Sequence, residues 1–180
     1  MSSLLTTLFS YNAWANADLC DKMKSVDSNA HSSEFATALG LICHYNVVAK
    51  IFSGHLQGLA HGFTSDTLEV TPPLDELRSQ VLSVDQWYLE YIKTISDESL
   101  AETVSFSFTD GEKGLMSRKE MLLHVALHAT VHRGEVARLL WQLSLTPPWE
   151  TLAVFVHQCV PQRRLQGLSP TQDTQATPRL

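Results

Sequence analysis

A chain of 180 residues has room for one domain with a full hydrophobic core, and 44% hydrophobic with 18% charged residues is the composition of a globular rather than a disordered protein. Thirteen basic against nineteen acidic residues give a formal charge of −6, which opposes attraction to nucleic-acid phosphates or an anionic membrane surface. No apolar run approaches the roughly 20 residues that span a bilayer, and Met1–Leu8 lacks the basic stretch and cleavage pattern of a signal peptide, so a cytoplasmic protein is expected.

From about Leu4 to Met23 there is no Gly or Pro, and Leu4, Leu8, Tyr11, Ala15 and Leu19 recur at helical spacing, which predicts the first helix. A second runs from Ser33 to about Leu59. It is apolar round much of its circumference and carries a stripe through Leu41, His44, Val48 and Ile51, so His44 is expected to point inward. After a loop containing Gly62, Thr64 and Ser65, the sequence Thr71-Pro72-Pro73 predicts a third helix with Thr71 as its N-cap and proline in the permissive first turn. Its core stripe reads Leu77, Val81, Val84, Tyr88, Tyr91 and Ile95.

The segment Thr103–Glu112 alternates polar and apolar residues and ends near Asp110-Gly111, a turn signal, which predicts a short β-hairpin. Ser117-Arg118-Lys119-Glu120 has the form of a capping box and opens the fourth helix. That helix runs to about Leu143 with a stripe of Met121, Val125, His128, His132, Val136, Leu139 and Leu143. Thr146-Pro147-Pro148 ends it. A short helical piece over Leu152–Cys159 is expected to cap the core, and the tail from Gln166 is expected to be disordered. The fold is therefore all-α: one domain over residues 1–165 with four long helices, and the hairpin between helices three and four.

Cys20, Cys43 and Cys159 are odd in number, far apart and in no Cys-x-x-Cys arrangement, so reduced core or surface thiols are expected rather than disulfides or a Cys-rich zinc site. Chemistry rests on the histidines. Four residues on a helix turn through about 400° and rise about 6 Å, so His128 and His132 project from one face and can share an ion, with His44 closing on them from a facing helix. Left in an apolar stripe without partners, each imidazole would cost about 1–3 kcal/mol, a penalty that a shared metal removes. Three imidazoles suit zinc, nickel, copper or iron better than calcium or magnesium.

His124 continues the ladder at its edge and is read as a residue of the site's mouth. His55 stands roughly 16 Å along the second helix from His44, too far to share its ion, and is read as a polar group at the bundle end. His31, His61 and His157 are expected to face solvent. Glu135, one turn beyond His132, fits three roles: acceptor for an imidazole N–H, general base, or outward ion pair with Arg138.

Tyr11-Asn-Ala-Trp-Ala-Asn16, a histidine in the middle of the second helix, and His124-Val-Ala-Leu-His-Ala-Thr-Val-His-Arg-Gly134 together resemble the DinB/YfiT-like family over most of residues 1–145. The resemblance implies a four-helix bundle, often dimeric, with a metal held by His44, His128 and His132. It departs at Glu135, where the family commonly shows glutamine, and after Thr146. Arg133 is read as a structural ion pair and Gly134 as a site of close helix packing, both turned away from the metal face.

Three protein ligands leave a coordination position open, as catalytic sites do. Thiol-dependent relatives imply a transferase that activates a low-molecular-weight thiol against a small-molecule substrate, using zinc or nickel, with His124 or Glu135 as proton acceptor. The alternatives are a metal-dependent hydrolase, and a non-catalytic metal-stabilised homodimer or ligand-binding protein.

Overall fold

The computed structural model describes residues 3–160 and residue 162, and the expected tail from Gln166 lies outside them. In chain order the elements are α1 (Ser3–Met23), α2 (Ser32–Gln57), α3 (Leu74–Thr94), α4 (Asp97–Ala101), β1 (Thr103–Ser107), β2 (Lys113–Ser117), α5 (Arg118–Gln142) and α6 (Leu152–Cys159). They fall into two compact units, Met1–Pro148 and Trp149–Leu180. The second contains α6, whose first turn is capped where the Thr151 hydroxyl accepts the Val154 N–H.

Within the first unit α2 packs most closely on α5 and α1 on α3, and α2–α3 and α1–α5 contacts complete the ring. This is the expected four-helix bundle. Its boundaries follow local chemistry. At the start of α5 the Ser117 Oγ accepts the Glu120 N–H and Glu120 accepts the Ser117 N–H, the capping box the sequence predicts. Gly58 closes α2 in the left-handed region at φ 68°, its N–H turned back to the last-turn carbonyls. The start of α3 differs from expectation: its cap is Pro73, not Thr71. A residue before proline is held extended, and in Thr71-Pro72-Pro73 this excludes both Thr71 and Pro72 from the helix.

The apolar face of α1 is buried as expected at Tyr11, Ala15 and Leu19, but differs at its start, where Leu5 and Phe9 face the core and Leu4 is exposed. Between those residues Asn12 and Asn16 enter the core, and the α3 stripe admits Asp85 at 6% exposure. The polar side chains meet Arg133 of α5, itself fully buried. Arg133 Nη1 donates to Asn12 Oδ1 at 2.8 Å and Asn16 Oδ1 at 2.9 Å, and both asparagine amides donate onward to Asp85. Arg133 is thus turned away from the metal face as expected, and two asparagines link it to the Asp85 carboxylate. Burial outweighs those donors and holds the Asp85 carboxyl up at about 6.

α2 differs from the sequence reading in another way: by length and composition it is apolar enough to cross a membrane. In the bundle 61% of its most apolar window is buried, because α2 touches α3, α5 and β1. The hairpin forms as predicted, with Val104 opposite Met116 and Phe106 opposite Gly114. Arg118 ties its end to the bundle, donating to the Leu56 carbonyl, to the Tyr91 hydroxyl at 3.2 Å and to Glu102 at 3.3 Å.

Candidate metal centre

His44 leaves α2 toward α5, and His128 and His132 leave α5 toward α2, all three half-buried along the edge of the core. Their phase is set from behind. Arg133 is rotated about 100° from its neighbour on an α-helix, so locking it into the Asn12–Asn16–Asp85 cluster aims His132 at the α2 side.

The three Nε2 atoms converge, with His128 Nε2 lying 3.2 Å from His44 Nε2 and 3.2 Å from His132 Nε2. His44 Nδ1 lies 3.0 Å from the Asp66 carbonyl oxygen, which can only accept, so the ring proton sits on Nδ1 and Nε2 keeps its lone pair. His132 Nδ1 lies 2.7 Å from Glu135 Oε2, and a neutral ring that donates to that carboxylate turns a bare Nε2 to the centre. Burial, with the two neighbouring imidazoles, pushes His128 down to about 4, so it is neutral at pH 7. One neutral imidazole has one proton to offer and two lone pairs to face. At least one nitrogen is left opposed to another without a proton between them, and a cation at the centre satisfies all three. Nitrogens about 2.0–2.1 Å from a tetrahedral zinc stand roughly 3.3 Å apart, close to the two 3.2 Å spacings about His128, and the ligand atoms of all three histidines lie within 4.8 Å of one another. The residues present fit a divalent transition metal.

Glu135 is thus placed as the acceptor that orients His132, and the outward alternative with Arg138 is not the one formed. His124 stands in the wall beside the centre, its ring 5.4 Å from that of His128 and its pKa lowered by burial. Gly134 departs from expectation: it is exposed, and a Cβ there would meet nothing within 4 Å, so it does not mediate close helix packing within the chain. Cys20 and Cys43 are buried free thiols, and burial pushes Cys20 up to about 12 and raises Cys43, so neither is a ready nucleophile.

A cavity of about 200 Å³ opens against His128, walled by Phe52, His55, Phe106, Phe108 and His124, with Asp66 also in its lining. The sequence reading places His124 in this wall and leaves His55 out of it. His55, read as a polar group at the bundle end, packs its ring 4.9 Å from Phe106, and its Nε2 is buried with no hydrogen-bond partner among the described residues. His61, expected to face solvent, is half-buried and edges onto His55 at 5.0 Å. Only the pairing of α2 with the hairpin brings these rings together, and no motif or periodicity announces it.

Residues 1–164 match the family model described as the DinB family. Among curated proteins the chain is similar to Protein DinB of Bacillus subtilis (strain 168), with 23% identity over 156 residues that cover 79% of this chain and 87% of that protein. No solved structure matches the chain.

Proposed function

We propose that this chain, which belongs to the DinB family, binds one divalent transition metal ion, zinc or nickel foremost, through His44, His128 and His132 and uses it to transfer a low-molecular-weight thiol to a small electrophile. The observation that carries the metal is the convergence of three Nε2 atoms, two of them stripped of their proton by acceptors at Nδ1. Such an ion supplies acidification of whatever thiol or water reaches its open position.

The chain's own residues divide the remaining work. Asp66 and Glu135 hold the tautomers of His44 and His132. Phe52, Phe106 and Phe108 line the cavity beside His128 with apolar surface. His124, neutral in that wall, is positioned to take the thiol proton on a ring nitrogen. The sulfur then forms a bond to the electrophilic carbon as the leaving group departs with its bonding pair. The cavity favours this reading over a purely structural metal, which would be closed over by protein.

The test is the metal content of untagged wild type beside His44→Ala and His128→Ala, followed by turnover of a small thiol with 1-chloro-2,4-dinitrobenzene. One equivalent of metal per chain, lost in both variants, with thioether formed by the wild type alone, is the expected result. Absence of metal after reconstitution overturns the metal assignment, and metal without thioether formation overturns the transferase assignment.

A further inference from the structure

Of the His-x-x-x-His-Arg-Gly motif, Gly134 is the residue that neither the metal centre nor the bundle uses. It stands exposed inside α5, where glycine is the least favourable helix residue short of proline, and a Cβ there would meet nothing within 4 Å. Its backbone does not demand glycine either, since the described glycines with positive φ are Gly58, Gly62 and Gly111. The missing side chain leaves a hollow on the outer surface of the helix.

That hollow lies in an apolar stripe. Leu127, Val131, Gly134, Arg138 and Trp141 follow one another at spacings of four, three, four and three, the register of a coiled-coil seam. Leu127, Val131 and Trp141 are 61%, 62% and 59% exposed, so the seam faces away from the core and has no partner helix among the described residues. It complements itself. Val131 is a bump three residues from the hollow, and a twofold axis between them, with two α5 helices antiparallel, sets each copy's Val131 over the other's Gly134. The same pairing lays Leu127 of each copy along the aliphatic stem of Arg138 of the other. Charge permits the approach, because the seam carries no carboxylate and Arg138 is its one cation. With each Arg138 opposite Leu127, the two guanidinium groups start from positions roughly 16 Å apart along the axis, beyond the screening length of about 8 Å. From Leu127 to Trp141 the seam is roughly 21 Å long, and at a width of about 10 Å its footprint is roughly 200 Å². That is well below the about 800 Å² per partner of a standard interface, so the pair it holds is weak and reversible.

We propose that the outer face of α5 is a self-association surface on which a second copy of this chain docks antiparallel, each Val131 seated in the other's Gly134 hollow. The proposal does not depend on the metal reading, because neither residue is a ligand and the seam lies on the solvent side of α5.

Sedimentation equilibrium of the full chain over roughly 1 µM to 1 mM, the range of weak affinities, tests it. The wild type is expected to show a reversible monomer–dimer equilibrium within that range. Gly134→Val, which fills the hollow, is expected to raise the dimer Kd at least about tenfold while keeping helical circular dichroism and melting no lower than wild type, since valine replaces a poorer helix former. The double exchange Val131→Gly with Gly134→Val moves bump and hollow past each other without changing the number of glycines, and is expected to return the Kd to within about threefold of wild type. Trp141→Gln, at an exposed position, should weaken the dimer of an intact monomer. A wild type that stays monomeric throughout, a Gly134→Val dimer as tight as wild type, or a folded double exchange that remains as weak as Gly134→Val overturns the proposal.

Discussion

Glu135 sits 46% exposed, yet its carboxylate fixes which nitrogen of His132 faces the centre. Removing such an outer acceptor typically weakens metal affinity about 10–100-fold. Glu135→Ala should therefore fall in that range by competition with a chromophoric chelator, and Glu135→Gln, which keeps an acceptor oxygen, should fall less; equal losses would show that negative charge and not the hydrogen bond is what counts. Asp85 gives a pH signature. Its folded pKa of about 6 lies above the ordinary 3.8, so the folded chain takes up this proton before the unfolded chain does. The stability it contributes is fully present below about 4 and is lost as pH rises through about 6. The ionisable groups facing it, Cys20 on α1 and Tyr88 on α3, are pushed up by burial, away from that window. Asp85→Asn sets an amide against the Asn12 and Asn16 donors and should cost about 1–3 kcal/mol at pH 7. The gap from wild type in urea midpoint should widen from pH 7 to pH 4, and a gap constant over that range would rule out the raised pKa. The convergence of His44, His128 and His132 was legible because helical periodicity and the family resemblance selected the same positions. Asp85 was not, because a lone acid in an apolar stripe betrays nothing of the two asparagines and the arginine that admit it.

At the scale of elements, the hairpin is a wall of the cavity more than a connector. Phe106 on β1 lies across Gly114 on β2, and a Cβ on that glycine would overlap the ring. Gly114→Ala should therefore push the Phe106 ring off the strand and toward the cavity, where it lines the wall beside His55. The expected outcome is weaker uptake of an aromatic probe with metal content unchanged, read by fluorescence displacement on the metal-loaded chain. Loss of both would mean that the hairpin supports the centre itself. Helix starts marked by side-chain chemistry were legible in sequence, as the Ser117–Glu120 capping box shows. α4 was missed, although Ser96 caps it by accepting the Ser99 N–H and Asp97 and Glu98 fill its first turn. At five residues it has no periodicity to read. The face of α1 was legible only in part, for a different reason. A stripe drawn through apolar residues alone passes over Asn12 and Asn16, which face the core because Arg133 needs them there.

For the whole molecule, the candidate metal site joins two helices that are distant in sequence, with His44 on α2 and His128 and His132 on α5. An ion bound there is bound by the folded chain and not by the unfolded one, so its binding free energy adds to folding stability. At free metal 100-fold above Kd this linkage is worth about 2.7 kcal/mol. A domain of about 150–250 residues shifts its melting temperature by about 2–4 °C per kcal/mol, so chelation should lower the Tm of metal-loaded wild type by roughly 5–11 °C. The same treatment should leave His44→Ala unmoved, because that variant lacks the ligand by which α2 is tied to α5. The metal-free Tm also separates two roles for the bundle. The Arg133–Asn12–Asn16–Asp85 cluster fastens α1, α3 and α5 to one another without any contribution from His44, so metal-free protein should remain folded and unfold in a single cooperative transition. A chain that loses its helical circular dichroism on chelation at 25 °C would show instead that the ion, and not this buried polar cluster, is what specifies the packing of the four helices.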